Sequence, residues 1–571
     1  MEPHTLPADA EAILALTWSD YEPFYQELES RPLTNENIEA WLADWSGVAE
    51  TADEQYYRLY IATTVDTANP AVEEAFNAYI ENIQPAIKIA EQKLKDKLVT
   101  SGLSPESFET ALRRMRAEAE IFTEENLPLL AEEQKLVTEY NKLIGSLTVP
   151  WDGEELTFWQ MWALLYETDR SVRQKAWELR EASIFQERQA ISELWGQFMN
   201  VRTKIAENTG LPDYRAYTWK QKFRFDYSPE DCKSFHATIE EVVVPAAQRV
   251  RERRRMRLGI DAFRPWDVYV DPLGTTPIKP YETMDEFKSR SLAIFQQVDP
   301  EFGEYFQIMM DEGLMDLDSR KNKAPGAYSL GLHVAHRPFV FMNAIGTSLD
   351  VQTILHEGGH AFHEFERAHV HFYQRGEIYL PAEFAEVASM GMELIAFPYN
   401  TKKNGGFYTE SEGARAMIAH LEEIITFWPY MALVDALQHW IYENPEDGSD
   451  ASKCEEKWAE LWDRFQPGID YSGLEDAKKT YWHRQSHIFD SPFYYIEYGL
   501  AQLGAVQVWA NSLKDQRKAV ADYRKALALG ATVPLPQLFA TAGAKFAFDA
   551  QTLKEAVDLM EEVIGEMEAK L

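Results

Sequence analysis

"ILHEGGHAFHEF", residues 354–365, sets His356 and His360 four apart, puts Glu357 beside the first, and adds His363 three residues on. Gly358 and Gly359 interrupt a stretch that otherwise has helical spacing. Each glycine costs a helix roughly 1 kcal/mol against alanine, so the pair needs a physical reason. If Asp350 to Arg367 is one helix, Val351, Leu355, Gly358, Phe362 and Phe365 form a single stripe, expected to face the core. His356, His360 and His363 share roughly the opposite side, with Glu357 at its edge. His356 and His360 then stand one turn apart, about 6 Å along the axis, and both rings can converge on one ion. Neutral imidazole suits zinc, and Glu357 is placed to take a proton from the attacking water. The plainer alternative is the wet face of an amphipathic helix, which would gain nothing from two glycines. A helix that a substrate strand or another backbone must approach closely does gain.

Such an ion needs a third ligand. His363 lies about 10.5 Å along the axis from His356, too far for one ion to bridge. Glu366 stands ten residues after His356, where another class of zinc peptidase places a histidine after a glycine break that "AFHEFER" lacks. His369 and His371 lie further still. The better source is the next expected helix, "GEIYLPAEFAEVASMGMELIAF" (376–397), with Pro381 at a first-turn position. Glu386 and Glu393 are seven apart there, nearly on one face, and Glu383 precedes Glu386 by three. Ala, Val and Met surround these acids, which points to partial burial. A buried carboxylate needs a partner, and a metal or a ligand histidine is one.

Upstream, "GAYSLGLHVAHRPFVFMNAIGTSLD" (326–350) is β-branched and aromatic with partial alternation, which predicts one or two strands feeding the histidine helix. Pro338 argues against a fully hydrogen-bonded central position, so an edge is expected to be open. "VPWDGEELTF" (149–158) predicts a turn or short hairpin. Elsewhere helical periodicity dominates, over 69–99, 169–208 and 553–571. No repeat of 20–50 residues indicates a solenoid. A weak domain boundary is placed near residue 195, separating an N-terminal helical region (1–195) from a catalytic region (196–571).

The 571 residues carry 56 Lys+Arg against 93 Asp+Glu, a net charge of −37. That surface repels nucleic acid and anionic membranes. Only Cys232 and Cys454 are present, so a disulfide framework is not expected. The N-terminal residues show no signal-peptide pattern and no window resembles a membrane span, so a cytoplasmic protein is expected.

"HEGGHAFH" followed by "EFAEVAS" resembles the thimet oligopeptidase and oligoendopeptidase F family of zinc metallopeptidases. "WDGEELTF", the strand-rich stretch before the histidines and "HIFDSPFYYIEYGLAQLGA" are similar to the oligoendopeptidase F branch. The resemblance spans most of residues 150 to 510. It implies a mainly α fold with a deep channel and a small β-sheet beside the zinc helix. It implies one Zn2+ per chain on His356, His360 and Glu386, with Glu357 as general base. Glu393 and Glu383 are candidates to orient a ligand histidine. The family takes a histidine and tyrosines from residues 487–499 for substrate binding and oxyanion stabilisation. Here that means His487, with His483 as alternative, and Tyr494, Tyr495 or Tyr498. Tyr498 and Tyr494 are expected to face the cleft, with Tyr495 binding substrate. Gly326, Ala327 and Tyr328 would hold an extended peptide at the strand edge. The implied activity is cleavage of internal bonds in short unfolded peptides, by a monomer or homodimer. Two alternatives are a carboxy-dipeptidase of the same superfamily and a peptide-binding protein with an inactive metal site.

Overall fold

A computed structural model describes residues 6–106, 108–158, 160–273, 277–376 and 380–571. The chain is mainly helical, with two small sheets among the described residues. The stretch 69–99 forms two helices, Pro70–Asn82 and Gln84–Ser101, parted at Ile83, whose successors Gln84 and Pro85 open the second helix. Proline at a first-turn position has no amide hydrogen to lose and fits the helix start. Residues 169–208 likewise form Arg170–Gln186 and Arg188–Asn208. The terminal helix runs Ala550–Glu568.

The Asp152–Gly153 turn joins β1 (Thr148–Trp151) to β2 (Glu154–Thr157) as an antiparallel hairpin; both turn residues have positive φ. The second sheet has β3 (Met315–Asp318), β4 (Tyr328–Leu332) and β5 (Arg337–Ala344), in the order β3-β5-β4. β4 pairs antiparallel with β5, and β3 pairs parallel with it. Pro338 sits near the start of the middle strand, where β4 alone pairs with it, so its position is not fully hydrogen-bonded, as expected. It is tolerated because β3 pairs with β5 only from Val340 onward, beyond the proline. β3 and β4 are the edge strands. The sheet packs against the helix Ser348–Arg367.

The hydrophobic core divides near residue 120. One cluster joins helices of residues 21–115 and also takes in Phe372 and Tyr373. The other is continuous from Ile121 to Ile564. Trp195, at the expected boundary, is fully buried inside the helix Arg188–Asn208. A third, small cluster seats Ile61 of the helix Ile38–Val65 on Leu330 and Leu332 of β4. The N-terminal helices are thereby fixed to the strand beside the histidine helix. No described helix is long and apolar enough to cross a membrane.

Candidate active site

The histidine helix, Ser348–Arg367, begins where β5 ends. Asp350 fixes the junction: its Oδ2 accepts from the backbone N–H of Ile345, Gly346 and Thr347, at 2.9, 2.7 and 2.8 Å, and from Tyr281 Oη–H at 2.6 Å. Thr347 completes a capping box with Asp350. The helix then runs through the molecule and not along its surface. Val351, Leu355, Gly358 and Phe362 are buried as expected, while Phe365 is half-buried and stacked on Tyr305 at 4.4 Å. Glu357, Gly359, His363 and Glu364 on the other side are buried too.

Both glycines are explained by close approach. A Cβ on Gly359 would stand 2.4 Å from the carbonyl oxygen of Ala388 and 2.7 Å from Ser389 Cα. A Cβ on Gly358 would stand 2.6 Å from the Phe295 ring. Ala388 and Ser389 belong to the helix Ala382–Ala396, which follows Pro381 as its N-cap, one residue earlier in role than expected. Residues 377–379 of the expected helix lie outside the described residues. The glycines thus let a second backbone close on the histidine helix, and that backbone carries Glu386.

Nε2 of His356 and Nε2 of His360 lie 3.4 and 3.6 Å from Glu386 Oε2. One donor atom from each of the three residues falls within 4.8 Å of the others, the spacing that could hold a metal ion. Glu393 Oε1 accepts from His356 Nδ1 at 2.6 Å, which turns Nε2 toward Glu386. Ser389 Oγ donates to Glu386 Oε2 at 2.8 Å. The two histidines titrate apart. Burial alone would lower His356, but the Glu393 hydrogen bond and the surrounding carboxylates outweigh it and push it up to about 9. Burial lowers His360 to about 4. Burial, helped by the Glu386 and Glu393 charges, pushes Glu357 up to about 7. Its Oε2 is buried with no hydrogen-bond partner. An orphaned carboxylate oxygen beside two imidazoles and a second carboxylate is the donor chemistry a divalent cation neutralises, so these residues fit a metal.

A cavity of about 560 Å³ lies over this group. Tyr328 and Ser329 of β4, with Ala327 just before them, line one wall, and Tyr494 and Tyr498 line another. Tyr498 is on the helix Tyr495–Lys514 and Tyr494 immediately precedes it, ring to ring at 5.0 Å. His363, Glu364 and Arg367 continue the wall along the histidine helix.

Other expected residues stand elsewhere. Gly326 is beside the cavity wall, its carbonyl accepting from Asn343 Nδ2 at 2.9 Å. Tyr495 turns away from the cavity, packing on Phe427, Tyr430 and the edge of His487. His487 stands behind the tyrosines, 5.9 and 6.3 Å from the rings of Tyr494 and Tyr498. His483 is fully buried near Glu455, and Tyr140 Oη–H donates to its carbonyl. Glu383, in the first turn of the helix, meets no ligand histidine: Tyr227 Oη–H donates to it at 2.6 Å. Two supporting residues had no signal in the motifs. Gln352 Nε2 donates to Glu393 Oε2 at 2.9 Å, and His420 Nδ1 accepts from the same amide at 3.0 Å. Gln352 is one turn before His356, a spacing that could have pointed to it. His420 arrives from the helix Glu410–Glu443, and no local spacing links it to the site.

This fold and this residue set are those of a metallopeptidase. The model of peptidase family M3 matches residues 163–558, and the chain belongs to that family. It is 26% identical over 246 residues to the chromosomal oligoendopeptidase F of Lactococcus lactis subsp. cremoris, a match covering 42% of this chain and 38% of that one. It is 23% identical over 492 residues to the oligopeptidase PepF of Bacillus subtilis (strain 168), covering 79% of this chain and 68% of that one. The solved structure of Pz peptidase A with inhibitor 2 is 26% identical, covers both chains fully and superposes with a TM-score of 0.85.

Proposed function

We propose that the protein is a zinc-dependent oligoendopeptidase that hydrolyses internal bonds of short unfolded peptides. The observation that carries this is the convergence of His356, His360 and Glu386 on one point of a cavity whose wall is an open strand edge. His356, His360 and Glu386 would hold the ion, and two imidazoles with one carboxylate suit zinc. The ion supplies Lewis acidity to the scissile carbonyl and to a water molecule.

The chain's own groups do the rest. The outer edge of β4, with Ala327 just before it, offers unpaired backbone groups to an extended peptide. Glu357 takes the proton of the attacking water and delivers it to the departing amine; its raised affinity for a proton suits both transfers. Tyr498 or Tyr494 donates a hydrogen bond to the oxygen that gains charge. Glu393 holds His356 in the tautomer that leaves Nε2 free. The expected test is Glu357→Gln, which keeps its metal and loses roughly a hundred- to ten-thousandfold in turnover. Turnover close to wild type in that variant would remove Glu357 as the base.

A further inference from the structure

A second chamber of about 430 Å³ adjoins the metal cavity, and the two share Leu380, Ala382 and Tyr494 in their walls. Two strained turns meet where the chambers join. Phe223 and Phe493 both have positive φ, 55° and 62°, a conformation that bulky side chains rarely adopt. Such strain persists only where surrounding structure enforces it, and it concentrates at functional sites. Here Arg224 enforces it: its Nη2 donates to the Phe493 carbonyl and to Glu497 Oε1, both at 2.5 Å. The consequence is that Lys222 and Tyr494, the neighbours of the two strained residues, face each other. Lys222 Nζ stands 4.7 Å from the centre of the Tyr494 ring.

Glu497 serves Arg224 at 2.5 Å and Lys222 at 3.3 Å, one carboxylate for two cations. Arg224 Nε and Nη1 are buried without partners. Of the other acids in the chamber wall, Asp226 pairs with Arg113 at 3.9 Å, Glu109 lies at the same wall, and Glu383 accepts from Tyr227 Oη–H. Its burial, with the nearby Glu497 charge, pushes its carboxyl up toward the neutral form. Lys222 keeps about a fifth of its side chain exposed to the chamber, whereas Arg224 is enclosed.

We propose that Lys222, held by the paired strained turns, binds a carboxylate of the peptide substrate as the chain passes Tyr494 out of the metal cavity. The carboxylate comes from the peptide's C-terminus or from an acidic side chain at that position. This rests on the peptidase assignment above and goes beyond it, because it makes cleavage sensitive to where the substrate ends.

The experiment compares peptides of graded length, each as free acid and as C-terminal amide, with wild type, Lys222→Met and Lys222→Arg. At the matching length, the wild type should prefer the acid by roughly ten- to a hundredfold in kcat/KM, the worth of a charge-assisted hydrogen bond. The preference should reside in KM, fall to near one in Lys222→Met, and survive in Lys222→Arg. Amidated peptides regaining cleavage when they carry Glu at the matching position, in wild type but not Lys222→Met, would assign the acidic side chain as the source. No acid or Glu preference at any length in wild type, or a preference unchanged in Lys222→Met, would overturn the proposal. Should no peptide be cleaved, the peptidase assignment fails. Binding of acid and amide forms to the Glu357→Gln protein then still decides the Lys222 site.

Discussion

Gly359→Ala tests whether the two glycines exist for helix contact. Its Cβ would lie 2.4 Å from Ala388 O and 2.7 Å from Ser389 Cα. Both are backbone atoms, and Ala388 O is also held by Tyr523 Oη–H at 2.5 Å, so neither can swing aside. Ordinary contact needs about 3.5 Å, so the helix Ala382–Ala396 must retreat by about 1 Å. Overpacking of this kind costs about 1–3 kcal/mol, against which alanine returns about 1 kcal/mol of helix propensity. The net expectation is a destabilisation of about 1 kcal/mol, read by urea unfolding. The larger effect is on the site. Glu386 rides on the displaced helix, 3.4 and 3.6 Å from its two histidines. A misplacement of about 1 Å should cost about a hundredfold in kcat/KM, with weakened metal retention. Gly358→Ala is the control. Its Cβ would meet the far end of the Phe295 side chain at 2.6 Å, and not the backbone of the helix that carries Glu386. A Gly359→Ala protein with wild-type metal affinity and turnover would refute the argument from close approach.

Removing Glu393 as Glu393→Gln should weaken metal affinity about ten- to a hundredfold, since its carboxylate fixes His356; a metal-competition titration reads this directly. Tyr498→Phe and Tyr494→Phe should lower kcat more than they raise KM, and a loss of about a hundredfold in one of them would identify the oxyanion donor. Burial and the neighbouring acids raise Glu357, to about 7 without a cation, and a bound cation draws it lower. The base works only when ionised, so kcat/KM should rise with pH on the acid side, with a midpoint above the ordinary glutamate range and below about 7. A midpoint at or below the ordinary glutamate value would contradict this.

Local pattern carried much of this site. The i, i+4 histidines and the acid-bearing helix after them follow from spacing and from the cost of unpartnered buried carboxylates. The Asp-Gly hairpin and the strands before the histidines follow from turn chemistry and β-propensity. What sequence could not show is which side of a crossing helix meets which partner. Glu383 and Glu386 are three residues apart, yet only Glu386 meets the histidines, while Glu383 faces Tyr227. Tyr494, Tyr495 and Tyr498 carry equal local signal, yet only Tyr494 and Tyr498 line the cavity. Pro338 was a sound signal: its strand is paired on both sides only beyond the proline. The division of the core near residue 120 leaves no linker in the sequence, since the helices of both clusters follow one another closely.

The most direct test is an assay of the purified chain on a mixed set of quenched-fluorescence oligopeptides, with products identified by mass. The account predicts internal cleavage that a chelator abolishes and zinc restores. Turnover indifferent to the chelator, or no cleavage with zinc present, would contradict it, and release of C-terminal dipeptides alone would replace the endopeptidase with a carboxy-dipeptidase.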